Sequence, residues 1–127
     1  RLFEVPTAEV QQRRLYYAQR LAGETGAIVV LKGQFTLIAS PDGPVYVNPT
    51  GNPGMATAGA GDVLTGIIAG LLAQFPAPAQ RLECVAAAVY LHGRAGDAAA
   101  ARQGEMSLLA GDITQQLPGA IVETRCR

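Results

Sequence analysis

The chain has no tryptophan, a single lysine and a single histidine among its 127 residues. The scarcity of lysine and that of histidine each remove a class of function. Lys+Arg and Asp+Glu number 10 each, so no basic excess exists to grip nucleic acid or an anionic membrane by charge. One histidine and two widely separated cysteines, Cys84 and Cys126, leave neither a His- or Cys-based zinc site nor a CxxC pair. That pattern fits a reducing, cytoplasmic setting better than a disulfide scaffold. No apolar run approaches the roughly 18–20 residues of a membrane span, since 66–73 and 84–91 are far shorter. Hydrophobic residues make up 49% and charged ones only 16%, a balance that excludes intrinsic disorder. Residue 1 is Arg, and 1–6 hold no apolar run of signal-peptide type. We therefore expect a chain that begins inside a longer gene product or after a processed leader.

What is present reads as an α/β chain. Thr7 as N-cap, Glu9 in a first turn, and Val10, Arg14, Tyr17 and Leu21 at helical spacing before Gly26 predict a helix over 7–24. The run Ala27-Ile28-Val29-Val30-Leu31 predicts a strand buried on both faces, as in layered α/β folds. Residues 35–39 and 45–47, separated by Ser40-Pro41-Asp42-Gly43-Pro44, predict a hairpin. Asn48-Pro49-Thr50-Gly51-Asn52-Pro53-Gly54 cannot lie inside a helix or strand, because two Pro and two Gly within seven residues break both. The stretch 63–72 is apolar almost all round and predicts a buried helix, ended by Phe75-Pro76-Ala77-Pro78. An Ala-rich helix over about 79–102 stops near Gly104, and a short helix near 112–117 closes the part expected to be ordered.

The junction at 51–66 concentrates the chemistry. A Gly-rich segment entering a helix exposes amides that lack intrahelical partners, at the end where the helix dipole is positive. Such an arrangement holds phosphates. Asp62 adds a carboxylate that only accepts hydrogen bonds when ionised, and so can orient or deprotonate an attacking hydroxyl. Phosphoryl transfer with an Asp base follows, against the alternative that Gly59-Ala60-Gly61-Asp62 merely caps a helix. A Walker A loop is excluded, because the one lysine, Lys32, lies outside it. A dinucleotide fingerprint fails as well: Leu64 occupies the last glycine position, and a long loop stands where a strand should.

In its full context, the segment from Asn48 through Gly54, Met55-Ala56-Thr57-Ala58 and Gly59-Ala60-Gly61-Asp62-Val63-Leu64-Thr65-Gly66 resembles the signature of the ADP/ATP-dependent NAD(P)H-hydrate dehydratases. These belong to the ribokinase-like superfamily. The resemblance extends to Val29-Val30-Leu31-Lys32-Gly33 and to Leu91-His92-Gly93-Arg94-Ala95-Gly96-Asp97, and so covers most of the chain. It implies a ribokinase-like three-layer α/β/α sandwich, of which 1–127 would be the C-terminal portion of a single domain. A His-Pro-Gly-Glu segment and several strands of the family would lie before Arg1. Ala58 stands where the family commonly has Gly.

The resemblance further implies that hydrated NADH or NADPH is restored to the normal cofactor with ADP or ATP consumed and Mg²⁺ engaged. Lys32, Gly33, Gln34, Phe35 and Thr36 would line the nucleotide site together with Asn52, Pro53, Gly54, Met55, Ala56, Thr57, Ala58, Gly59, Ala60 and Gly61. Asp62 would touch the hydrated nicotinamide and act as base. A homo-oligomer is implied too, with a tetramer as one candidate form. Two other readings share these features: a ribokinase-like kinase of a vitamin precursor, and a non-catalytic nucleotide-binding fragment. Outside the junction the residues read plainly. His92 is expected to pack or cap, Asp97 to be a helix-surface charge, Asp112 a helix-start charge, and 67–72 and 85–89 core.

Overall fold

The computed structural model describes residues 4–125; Arg1 and Cys126 lie outside them. The chain divides into two compact units, residues 1–47 and 48–127, and each is taken by itself.

The first unit holds α1 (Thr7–Gln12), α2 (Arg14–Thr25), β1 (Val29–Leu31), β2 (Leu37–Ala39) and β3 (Val45–Val47). The single helix expected over 7–24 is two, because Arg13 leaves helical geometry at φ −128° and ψ 41°. Its guanidinium lies 4.3 Å from the centre of the Tyr16 ring. α2 ends as expected at Gly26, whose φ of +68° is the left-handed C-cap that glycine adopts without strain. The three strands form an antiparallel meander in the order β1-β2-β3, with Val30 opposite Ile38 and Ile38 opposite Tyr46. The hairpin is as expected, with its first strand beginning at Leu37. β1 is only half-buried, not covered on both faces. It is the outer strand of an antiparallel meander, and its apolar run reflects packing of one face on α2, where Ala18 and Ala22 meet Leu37, Ala39, Val29 and Leu31.

The second unit holds α3 (Ala60–Gln74), α4 (Arg81–Gln103) and α5 (Ala110–Arg125), with short 3-10 turns at Pro53–Met55, Pro78–Gln80 and Glu105–Ser107. α4 packs against both α3 and α5. The core joins Ala60, Ala95, Ala99, Leu108, Ile113 and Ala120, and its alanines let the helix axes approach closely. α3 is not the buried helix its composition predicts: Ala60 and Leu64 alone among its residues are buried. Its neighbours α4 and α5 cover one stripe, and an all-round apolar helix can bury no more surface than its neighbours reach. α5 is far longer than the expected 112–117 and continues through Pro118. Asp112 behaves as expected of a helix-start charge, accepting the Leu109 amide at 2.8 Å and the Gln103 side chain at 2.6 Å. Cys84 is buried as a free thiol. Among the described residues, no helix is long and apolar enough to cross a membrane.

Candidate functional site

One face of α4 seats the irregular loop. The single hydrogen of the Thr50 hydroxyl has two acceptors within reach, the Tyr90 carbonyl and Asn48 Oδ1, each at 3.0 Å, while Asn48 Nδ2 donates to the Thr50 carbonyl at 3.0 Å. Two glycines make room. A β-carbon on Gly93 would lie 2.1 Å from Thr50 Oγ1, and one on Gly96 would lie 2.2 Å from Met55 Sδ. One turn further, the Asp97 carboxylate accepts the Gly51 amide and the Asn52 side-chain amide, each at 3.0 Å. Positions 90, 93 and 97 recur at helical spacing, so this is a single stripe. Asp97 is therefore not the solvated surface charge its helix position suggests. The signal was present in the Gly93, Gly96 and Asp97 spacing, but a glycine's partner is invisible until the loop is placed.

Asn52 caps the following turn by accepting the Gly54 amide at 3.1 Å. Pro53, Gly54 and Met55 form that 3-10 turn, closed by Met55 N–H to the Asn52 carbonyl at 3.1 Å and Ala56 N–H to the Pro53 carbonyl at 3.0 Å. Gly54 packs against the Glu105 backbone, where a β-carbon would come within 2.5 Å of its carbonyl oxygen. Ala56, Thr57 and Ala58 lead to Gly59, which caps α3 at φ +84°. Ala58 needs no glycine, since Phe35 is the one non-glycine residue at positive φ among those described.

At the start of α3, the Asp62 and Val63 amides both donate to the Gly59 carbonyl, at 3.0 and 3.1 Å, and the Ala60 amide reaches the Thr57 carbonyl at 3.4 Å. Those of Ala58, Gly59 and Gly61 donate to no acceptor among the described residues. Three bare amides thus cluster where the helix dipole favours negative charge. Ala60 is buried, and its carbonyl accepts a hydrogen bond from His92 Nε2 at 2.9 Å. A carbonyl only accepts, so Nε2 carries the proton. His92 is the packing residue expected of it, and it pins the first residue of α3. Asp62, the residue after Gly61, is exposed.

Residues 32–36 lie in the other unit. Lys32, Gly33, Gln34 and Phe35 are exposed between β1 and β2. Arg14 organises them: its guanidinium donates to the Leu31 carbonyl at 3.0 Å and to that of Gln34. Gly33, at φ +142°, passes so close that a β-carbon would lie 3.1 Å from Arg14 Nη2. Thr36 closes the turn onto the Gly33 carbonyl at 3.1 Å, and Phe35 sits at φ +53°. Bulky residues take up that conformation only where surrounding contacts hold it.

A glycine-bounded loop, bare amides at a helix start and an exposed carboxylate beside them define the class of site that binds an anion and places an acceptor next to it. A family model described as NAD(P)H-hydrate dehydratase matches residues 1–119, and the chain belongs to that family. It is 54% identical over 120 residues to the bifunctional NAD(P)H-hydrate repair enzyme Nnr of Moorella thermoacetica, covering 93% of this chain and 22% of that one. It is 47% identical over 114 residues to the ADP-dependent (S)-NAD(P)H-hydrate dehydratase of Neisseria meningitidis, covering 89% and 38%. The fold matches the ADP/ATP-dependent NAD(P)H-hydrate dehydratase of Bacillus subtilis, co-crystallized with ATP/Mg²⁺, at a TM-score of 0.86 and 39% identity, over 94% of this chain and 42% of that one. The chain thus spans well under half the length of each of these relatives.

Proposed function

We propose that this chain carries part of the active site of a nucleotide-dependent dehydratase that returns hydrated NADH or NADPH to the intact cofactor. One observation supports the reading above all others: among the described residues the amides of Ala58, Gly59 and Gly61 have no acceptor at the positive end of α3, and Asp62, the next residue along, is exposed. Nucleotide phosphates match that donor set. Lys32, Gly33, Gln34, Phe35 and Thr36, and the run from Asn52 through Gly61, are read as lining the nucleotide, with Asp62 at the hydrated ring. Supporting this are the family membership and the extent of the match, which spans residues 1–119 and so takes in both units. That span supports reading both units as part of one ribokinase-like domain.

The chemistry is a transfer followed by an elimination. The ring hydroxyl attacks the terminal phosphorus of ADP or ATP, the bond to the departing nucleotide breaks, and Asp62 takes the hydroxyl proton. The ring nitrogen lone pair then expels phosphate, and loss of a proton from the neighbouring carbon restores the double bond. Among the described residues, no group of three or more His, Cys, Asp or Glu could hold a metal ion. Mg²⁺ therefore fits here as an ion held by phosphate oxygens and water, where it would neutralise charge on the transferring group. Cytoplasmic action and assembly into a homo-oligomer belong to the same reading; the buried free thiol of Cys84 supports the former.

The test is to incubate the polypeptide that carries this chain with hydrated NADH or NADPH and ADP or ATP, and to follow nicotinamide absorbance. Recovery that requires the nucleotide is expected. Phosphorylation of a vitamin-like alcohol with no cofactor recovered would favour a kinase instead.

A further inference from the structure

We propose that Asp97 is a positioning residue for the nucleotide: it sets the hydrogen-bond polarity of the 51–54 turn and thereby the affinity for ADP or ATP. The inference rests on the nucleotide reading and carries it to a residue outside the loop. Three bonds run in series. Asp97 Oδ2 accepts the Gly51 amide at 3.0 Å, Asp97 Oδ1 accepts Asn52 Nδ2 at 3.0 Å, and Asn52 Oδ1 accepts the Gly54 amide at 3.1 Å. An ionised carboxylate offers acceptors only. It therefore compels Asn52 to turn its NH₂ toward Asp97 and its oxygen toward Gly54. Bonds to a charged acceptor are also the stronger kind.

A neutral amide at 97 has nearly the same shape and cannot do this. If its oxygen keeps the Gly51 amide, its NH₂ faces the NH₂ of Asn52. If Asn52 then flips, its own NH₂ faces the Gly54 amide. Every arrangement leaves two donors opposed. Exchanging the two groups removes the conflict: with N52D and D97N together, the new amide donates to the new carboxylate, whose other oxygen accepts from Gly54. Gly51, held at φ +101°, keeps its acceptor in the exchanged pair.

Titration calorimetry with Mg²⁺–ADP and Mg²⁺–ATP, on the polypeptide that carries this chain, tests the series in wild type, D97N and N52D/D97N. Turnover is read alongside binding, at a temperature where each is folded. D97N is expected to weaken nucleotide binding by about tenfold or more, raising KM for the nucleotide while kcat at saturation changes little. The double variant is expected to regain most of the loss. Wild-type affinity in D97N, or a folded double variant that binds no better than D97N, would overturn the role of Asp97 and leave the dehydratase reading standing. If D97N does not fold, the double variant against wild type decides by the same measure. A wild-type polypeptide that binds neither nucleotide would overturn the nucleotide reading itself, and this role of Asp97 with it.

Discussion

Thr50 and Gly93 approach so closely that no side chain fits between them. A β-carbon on Gly93 would meet the Thr50 hydroxyl at 2.1 Å and its carbonyl carbon at 2.8 Å. Backbone cannot swing aside as a side chain can, so G93A must displace the loop. Forced overpacking costs about 1–3 kcal/mol, against a gain of up to about 1 kcal/mol for alanine over glycine in a helix. Net destabilisation of up to about 2 kcal/mol is expected in denaturant unfolding. At Gly96 the obstruction is the flexible Met55 side chain, so G96A is expected to cost less. Gly23 in α2 meets nothing within 4 Å, and G23A is expected to stabilise by about 0.5–1 kcal/mol.

Arg14 supplies a planar fork to two carbonyls, those of Leu31 and Gln34. An ammonium cannot present two donors in that fixed geometry. R14K is therefore expected to loosen residues 32–36, with a loss of about 1–2 kcal/mol after allowing for partial exposure. Hydrogen exchange is the sharper measurement: faster exchange confined to this turn is expected, with α4 and α5 unchanged.

In the first unit, the Tyr17 hydroxyl donates to the Glu9 carboxylate. That hydrogen bond, followed by burial and the nearby negative charge, raises the phenol above its ordinary 10.0. A group that holds its proton more tightly when folded contributes stability below its unfolded pKa and loses it as pH rises through the folded one. Alkaline destabilisation beginning near pH 10 is expected from thermal melts of wild type, with a flatter profile in Y17F.

Local punctuation made much of the layout legible. The repeated Pro and Gly of 48–54 mark a loop, 75–78 end α3, Gly104 ends α4, and Ser40 to Pro44 turn the hairpin. These residues act on their own backbone, so no partner need be known. What depends on neighbours did not show. The break at Arg13 lies within an unbroken helical period, and the all-round apolar character of α3 says nothing about how many helices will cover it. Pro118 suggests an end that α5 does not take. The candidate site divides in the same way. Gly59, Gly61 and Asp62 could be picked out because bare amides and an acidic first turn follow from the residues themselves. The Gly93, Gly96 and Asp97 seat could not, because its meaning lies in a loop more than 40 positions distant, bonded from Gly51 to Asp97.

The central claim concerns where nucleotide oxygens rest. Amide chemical shifts of the polypeptide carrying this chain, titrated with Mg²⁺–ADP and compared between wild type and D62A, test it most directly. The largest changes are expected at Ala58, Gly59 and Gly61 in both proteins, with turnover of hydrated cofactor in D62A lower by about 10²–10⁴-fold. Nucleotide binding that leaves those three amides unmoved, or full turnover in D62A, would contradict the account.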